Sequence, residues 1–180
     1  MPNHTTESWE YDAAKFRELI VLIADRCAAD MSFGDVYLNK VLFFSDALAV
    51  QNLGQPITGA RYQKLPMGPA ARALLPARRQ LVEEGAVAVD KVGDRTVTRA
   101  LRKPAPIFSE DEIDLIEEVI KVFRGMWAMH ISDVSHRVSP GWNLVEMRED
   151  IPLESQMIST SPPSKAALEH GRELAERFGW

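Results

Sequence analysis

The sequence predicts a mainly α-helical domain, a compact set of helices carrying one winged-helix-like β-hairpin. Three observations carry that expectation. Apolar residues recur at helical spacing, as in Phe16, Leu19, Ile20, Ile23 and Cys27 and again in Ile113, Ile116, Ile120 and Phe123. One stretch alternates instead, with Val87 and Val89, then Val97, Arg99 and Leu101, about the turn residues Gly93-Asp94. The 180 residues are 46% hydrophobic and 26% charged, enough to bury a core and too apolar for a disordered chain.

Residues 1–10 read as a flexible tail. A first helix runs from Tyr11 to Ala29 on its apolar stripe. Ser32 stands three residues before Asp35, a capping-box spacing that opens a second helix, roughly Phe33 to Asn52, and Gly54 and Pro56 close it. Asn39, Lys40, Ser45 and Asp46 interrupt this very apolar helix. Buried charge is costly unless paired, so Lys40 is expected either to pair with an acid or to stand exposed at a binding face.

Residues 57–65 read as an extended segment carrying Tyr62, followed by the turn Pro66-Met67-Gly68-Pro69. Pro69 suits the first position of a helix, and Pro76 is expected to split that helix into pieces near 69–75 and 76–84. Gly85 stops the second piece and the hairpin follows. After Pro104 and Pro106, Ser109 and Glu112 form a capping box for a helix whose stripe continues to Trp127, read here as core. Its Asp and Glu residues near the N-terminus suit the helix dipole. A short helix near 131–137 ends at Pro140, and 141–160 is irregular apart from a short helix near 153–159. Beyond Ser161-Pro162-Pro163-Ser164, a last helix over 165–178 carries Ala167, Gly171, Leu174 and Phe178 on one face. It is expected to pack on the same domain, which makes 11–160 one unit.

The net charge of −5 argues against strong nonspecific DNA binding by the whole chain. Residues 60–103, however, hold ten Lys/Arg against four Asp/Glu, a basic island in an acidic protein. Such an island suits an acidic partner, protein or nucleic acid; the plain alternative is a solvated surface whose charges pair with the acidic remainder. The single cysteine, Cys27, excludes an internal disulfide and reads as a small buried hydrophobe. The first ten residues lack the pattern of a secretory signal, and no apolar run approaches the ~20 residues of a membrane helix. A cytoplasmic protein away from membranes is expected.

His136, with Asp133 three residues before it and Ser132 and Ser135 nearby, is the most tempting catalytic group. A triad needs a serine hydrogen-bonded to a histidine that an acid orients; adjacent Ser135 points elsewhere on a helix, and no Gly-x-Ser-x-Gly elbow exists. A structural, hydrogen-bonded histidine packed near Trp142 is the preferred reading. His130 and His136 are badly spaced for a metal, and no phosphate-binding glycine loop occurs. No cofactor is expected.

Three further segments belong together by their order and spacing. One is Leu38-Asn39-Lys40-Val41-Leu42-Phe43-Phe44-Ser45-Asp46-Ala47. Another is Gly59 to Pro69, carrying Tyr62, Gly68 and Pro69. The third comprises Ile131, Ser132, Ser135, His136, Pro140 and Trp142. Taken together, the three resemble the Panacea domain family of SocA-like antitoxins, which has its Pro and Trp adjacent, whereas Gly141 separates them here. The resemblance covers about residues 15–158. It implies a non-enzymatic antitoxin, in systems linked to phage defence, that binds a protein toxin encoded beside it and can act as an adaptor delivering the toxin to a protease. Loops on a rigid scaffold often bind, and aromatic and Arg anchors dominate interfaces. Lys40, Tyr62, Lys64, Arg72, Arg79 and Arg95 are therefore the candidate partner-binding residues. Met126, Trp127, Met129, Met147 and Met157 could add an adaptable surface. The second-ranked reading is a winged-helix DNA-binding regulator using the basic island, and the third a small hydrolase at His136.

Overall fold

A computed structural model of the chain describes residues 9–157. The closing helix expected over 165–178 lies outside the described residues, as does the expected tail apart from Trp9 and Glu10; Trp9 packs against the core.

Helix α1 (Ala13–Arg26) starts where the Asp12 side chain accepts from the Lys15 amide at 2.8 Å, and it buries Phe16 and the run Leu19 to Ala24. Helix α2 (Asp35–Leu53) is apolar on nearly every side, as a helix enclosed by other elements must be. Gly54 closes it in the left-handed conformation, φ 77°. Its start differs from expectation. Gly34 is the N-cap, and Ser32 instead turns back onto Asp30, donating through its amide (2.9 Å) and hydroxyl (2.6 Å) to the carboxylate. Ser32 lies two residues too early to reach the first turn.

Strands β1 (Tyr62–Leu65) and β2 (Gly68–Ala71) form a hairpin across Pro66-Met67, and the short β5 (Asp150–Ile151) pairs antiparallel on the far side of β1. Pro69 is thus in a strand and does not start a helix. Its missing N–H is tolerated because β2 is an edge strand. Helix α3 (Leu74–Glu83) is one helix, not two pieces. Pro76 falls in its first turn, where no intrahelical donor is needed.

Strands β3 (Val87–Val92) and β4 (Arg95–Ala100) make the expected hairpin around Gly93-Asp94 and pack against α1, α2 and α3. Helix α4 (Glu110–Phe123) carries the full Ser109–Glu112 capping box. It stops at Phe123, and Gly125 takes φ 74°, so Trp127 leaves the stripe and stands 53% exposed instead of in the core. Helix α5 (Ala128–Val138) is longer than expected. Pro140 both ends it and opens α6 (Pro140–Leu144), and a 3-10 turn follows at Leu153–Met157. The core centres on α2, packed by α1, α4, α5 and β2. Cys27 is buried there, and burial pushes its thiol up to about 12. Among the described residues, no helix is long and apolar enough to cross a membrane.

Candidate functional site

The three sequence motifs, far apart in the chain, converge on the β1–β2 hairpin. At its base Asp46 of α2 is fully buried. It accepts from the Thr58 amide (2.7 Å), the Thr58 hydroxyl (2.6 Å) and the Tyr62 phenol (2.8 Å), and Tyr62 also reaches the Leu42 carbonyl at 2.9 Å. Burial raises the Asp46 carboxyl above its ordinary range, against the pull of these donors. It also drives the Tyr62 phenol well above 10, helped by the Asp46 charge. A carboxylate with this many donors ties a helix to a strand.

About two turns earlier in α2, Asn39 and Lys40 grip β2. The Asn39 amide donates to the Asp35 carbonyl and accepts from the Ala71 amide, each at 2.9 Å. Lys40 is neither paired with an acid nor exposed: its ammonium is buried and donates to the Pro69 carbonyl at 2.9 Å. Burial pushes its pKa down to about 7. Gly68, at φ 101°, closes over it. A Cβ there would lie 2.5 Å from Ser135 Oγ and 2.7 Å from Lys40 Cε, so α2, α5 and the hairpin meet at a point that admits only glycine.

The third motif caps the hairpin. The His136 and Trp142 rings stack 3.9 Å apart at 16°. The Trp142 indole donates to the Leu65 carbonyl at 3.2 Å, and the Lys64 ammonium sits over the Trp142 ring at 4.3 Å while donating to the Val145 carbonyl. Burial, and then the Lys40 charge, lower the His136 pKa below 6.5. Ser132 Oγ lies 3.4 Å from His136 Nε2, and the Ser135 hydroxyl instead donates to the Ser132 carbonyl at 2.8 Å. Gly141, the residue between Pro140 and Trp142, is buried where a Cβ would strike Ser155 and Ile151. The glycine thus permits close approach of α6 to Ile151 of β5 and Ser155 of the 3-10 turn. Among the described residues, no three His, Cys, Asp or Glu side chains come together as metal ligands.

The candidate partner-binding residues do not form one face. Tyr62 and Lys40 are interior, Lys64 is held against Trp142, and Arg72 pairs with Asp150 and the Arg148 carbonyl. Arg79 is exposed on α3. Arg95 donates to the carbonyls of Met31 (2.6 Å) and Phe33 (2.8 Å), with its guanidinium 5.3 Å from the Trp127 ring. Half of the basic island's ten cations pair with carboxylates elsewhere in the molecule. Arg61, Arg72, Arg78, Arg102 and Lys103 pair with Asp150, Asp35, Glu18 and Asp25, all outside it. Sequence reasoning passed over Met31, which is 79% exposed beside Trp127; a lone methionine in a loop carries no periodic signal.

Fold and site define a mainly α-helical domain whose motif residues clamp a small hairpin onto a buried helix. The sequence profile of the antitoxin SocA-like, Panacea domain family matches residues 38–143, more than half of the chain, and the chain belongs to that family. No curated protein and no solved structure matches it.

Proposed function

We propose that this protein is a cytoplasmic antitoxin that neutralises a protein toxin, encoded by a neighbouring gene, by direct binding and without catalysis. The observation that carries the reading is the exposed surface around Trp127. Trp127 is 53% and Met129 65% exposed, Met31 lines the same cleft as Trp127, and Arg95 is fixed against the indole by two backbone carbonyls. An open cleft of about 500 Å3 adjoins them, lined by Arg26, Asp30, Met31, Arg124 and Trp127 among others. Exposed apolar groups rimmed by charge mark interfaces; Trp and Arg dominate their energy, and Met adapts to a partner's shape. In the adaptor form of the reading, the same complex is handed to a protease. The motif residues build the scaffold and do not contact the toxin.

The winged-helix reading has in its favour a β-hairpin directly after α3. The ion pairs that occupy half of the basic island's cations count against it, because nonspecific DNA affinity needs free cations.

The test is growth of a culture expressing the adjacent open reading frame alone, with this protein, and with its Trp127→Ala variant. Toxicity of the neighbour that is rescued by the wild type and poorly by Trp127→Ala supports the proposal. A toxic neighbour that neither form relieves overturns it. Equal rescue by both forms moves the interface elsewhere.

A further inference from the structure

The guanidinium of Arg95 is anchored through one nitrogen only. Its Nη1 donates to the Met31 carbonyl at 2.6 Å and to the Phe33 carbonyl at 2.8 Å, and its Cζ lies 5.3 Å from the Trp127 ring centre. These contacts fix the group in place. Both acceptors are neutral, so the charge stays uncompensated. Among the described residues nothing accepts from the opposite edge, formed by Nε and Nη2. That edge presents two parallel N–H donors, the pattern that a carboxylate takes bidentately. A guanidinium already held rigid loses little side-chain freedom in doing so.

The adjoining cleft offers open donors and few open acceptors. Asp30 is the one acid among its lining residues, and its carboxylate already accepts from the Ser32 amide (2.9 Å), the Ser32 hydroxyl (2.6 Å) and the Gly125 amide (2.9 Å). Arg26, also in the lining, faces Glu117 and Asp25. Arg124 lines the same cleft, is exposed, and donates to no group among the described residues. Two cations without a carboxylate, Arg95 and Arg124, therefore share this surface with the exposed apolar side chains of Met31 and Trp127. Apolar side chains beside uncompensated cations match a peptide that carries both acidic and apolar residues; a phosphate backbone supplies only the charge.

We propose that the surface around Trp127 takes an acidic segment of the partner protein. An Asp or Glu carboxylate of that segment seats on the Nε–Nη2 edge of Arg95, a neighbouring apolar side chain rests on Trp127 and Met31, and Arg124 meets a second acid. The inference rests on the reading of this surface as the toxin interface and adds the chemistry of what docks there.

The test titrates the full chain with the purified product of the adjacent open reading frame, at low and at high salt. Arg95→Lys keeps the charge and loses the two-donor edge; Arg124→Glu reverses an exposed charge. Each is expected to weaken the complex by about tenfold or more at low salt, and added salt to weaken the wild-type complex. Arg137→Glu, at the far end of α5 and outside the cleft, is expected to leave affinity unchanged. The Arg95 Nε–Hε signal is expected to shift downfield in the complex. Should Arg95→Lys lower the unfolding temperature, Arg124→Glu decides alone, because that side chain holds no described hydrogen bond. A complex weakened by Trp127→Ala but indifferent to both arginine variants and to salt overturns the acidic segment and leaves the interface standing. No complex, or one indifferent to Trp127→Ala as well, overturns both. Duplex DNA that shifts the Arg95 signal where the protein does not also overturns the proposal, because a phosphate then fills the site.

Discussion

Tyr62 on β1 donates its phenol to Asp46 on α2 at 2.8 Å, with both side chains wholly inside the protein. The bond joins two of the three motifs and explains why a strand so short holds its place. Tyr62→Phe removes one donor from a buried carboxyl while preserving the ring, which packs on Phe43. It is expected to destabilise by about 1–3 kcal/mol, read by urea unfolding. An unchanged midpoint would show that the pair contributes nothing.

Lys40 has the opposite logic. Its pKa is pushed from 10.5 to about 7, so between those values the unfolded chain binds a proton that the folded one does not. Stability then rises with pH across that window, by up to about 1.4 kcal/mol per pH unit from this group, and the gain is lost as pH falls toward 7. Lys40→Met is expected to flatten that rise between pH 7 and 9.5 and to be at least as stable as wild type at neutral pH. A wild type and variant with parallel pH profiles would refute the assignment.

Gly68→Ala tests the meeting point of the motifs. The substitution forces a left-handed alanine and a Cβ into Ser135 and Lys40. A loss of about 2 kcal/mol or more is expected. Gly93→Ala, also at positive φ but with open space around it, should cost less; equal losses would mean that crowding is irrelevant.

His136 should titrate below 6.5 in an NMR experiment, because burial and the Lys40 charge both disfavour its cation. Its depressed pKa means that stability falls as pH drops below 6.5 and levels off under the folded pKa. In Lys40→Met the His136 midpoint should move up, toward 6.5. A midpoint that does not respond would separate the two groups.

Duplex DNA should bind weakly and without a steep salt slope, since Arg61, Arg72, Arg78, Arg102 and Lys103 already face carboxylates. A fluorescence titration at two salt concentrations decides this. Tight, strongly salt-dependent binding would restore the winged-helix regulator.

What the sequence determined by itself was whatever depends on near neighbours in the chain. The apolar periods of α1 and α4, the Ser109–Glu112 cap, the Gly54 stop of α2 and the Gly93-Asp94 turn are all set by groups a few residues apart. The resemblance of three segments to one family was legible too, because their order and spacing survive in one dimension. Only the tertiary structure decided what those segments do. Pro69 became a strand residue because β1 and β5, from opposite ends of the motif region, assemble the sheet that makes β2 an edge. Lys40 went inside without an acid because a carbonyl 29 residues away reaches it, and Trp127 came out because Gly125 turns the chain after Phe123. The basic island lost part of its surplus to carboxylates as far as 89 positions away. Burial and charge pairing depend on distances in space, and those follow from packing the whole chain around α2.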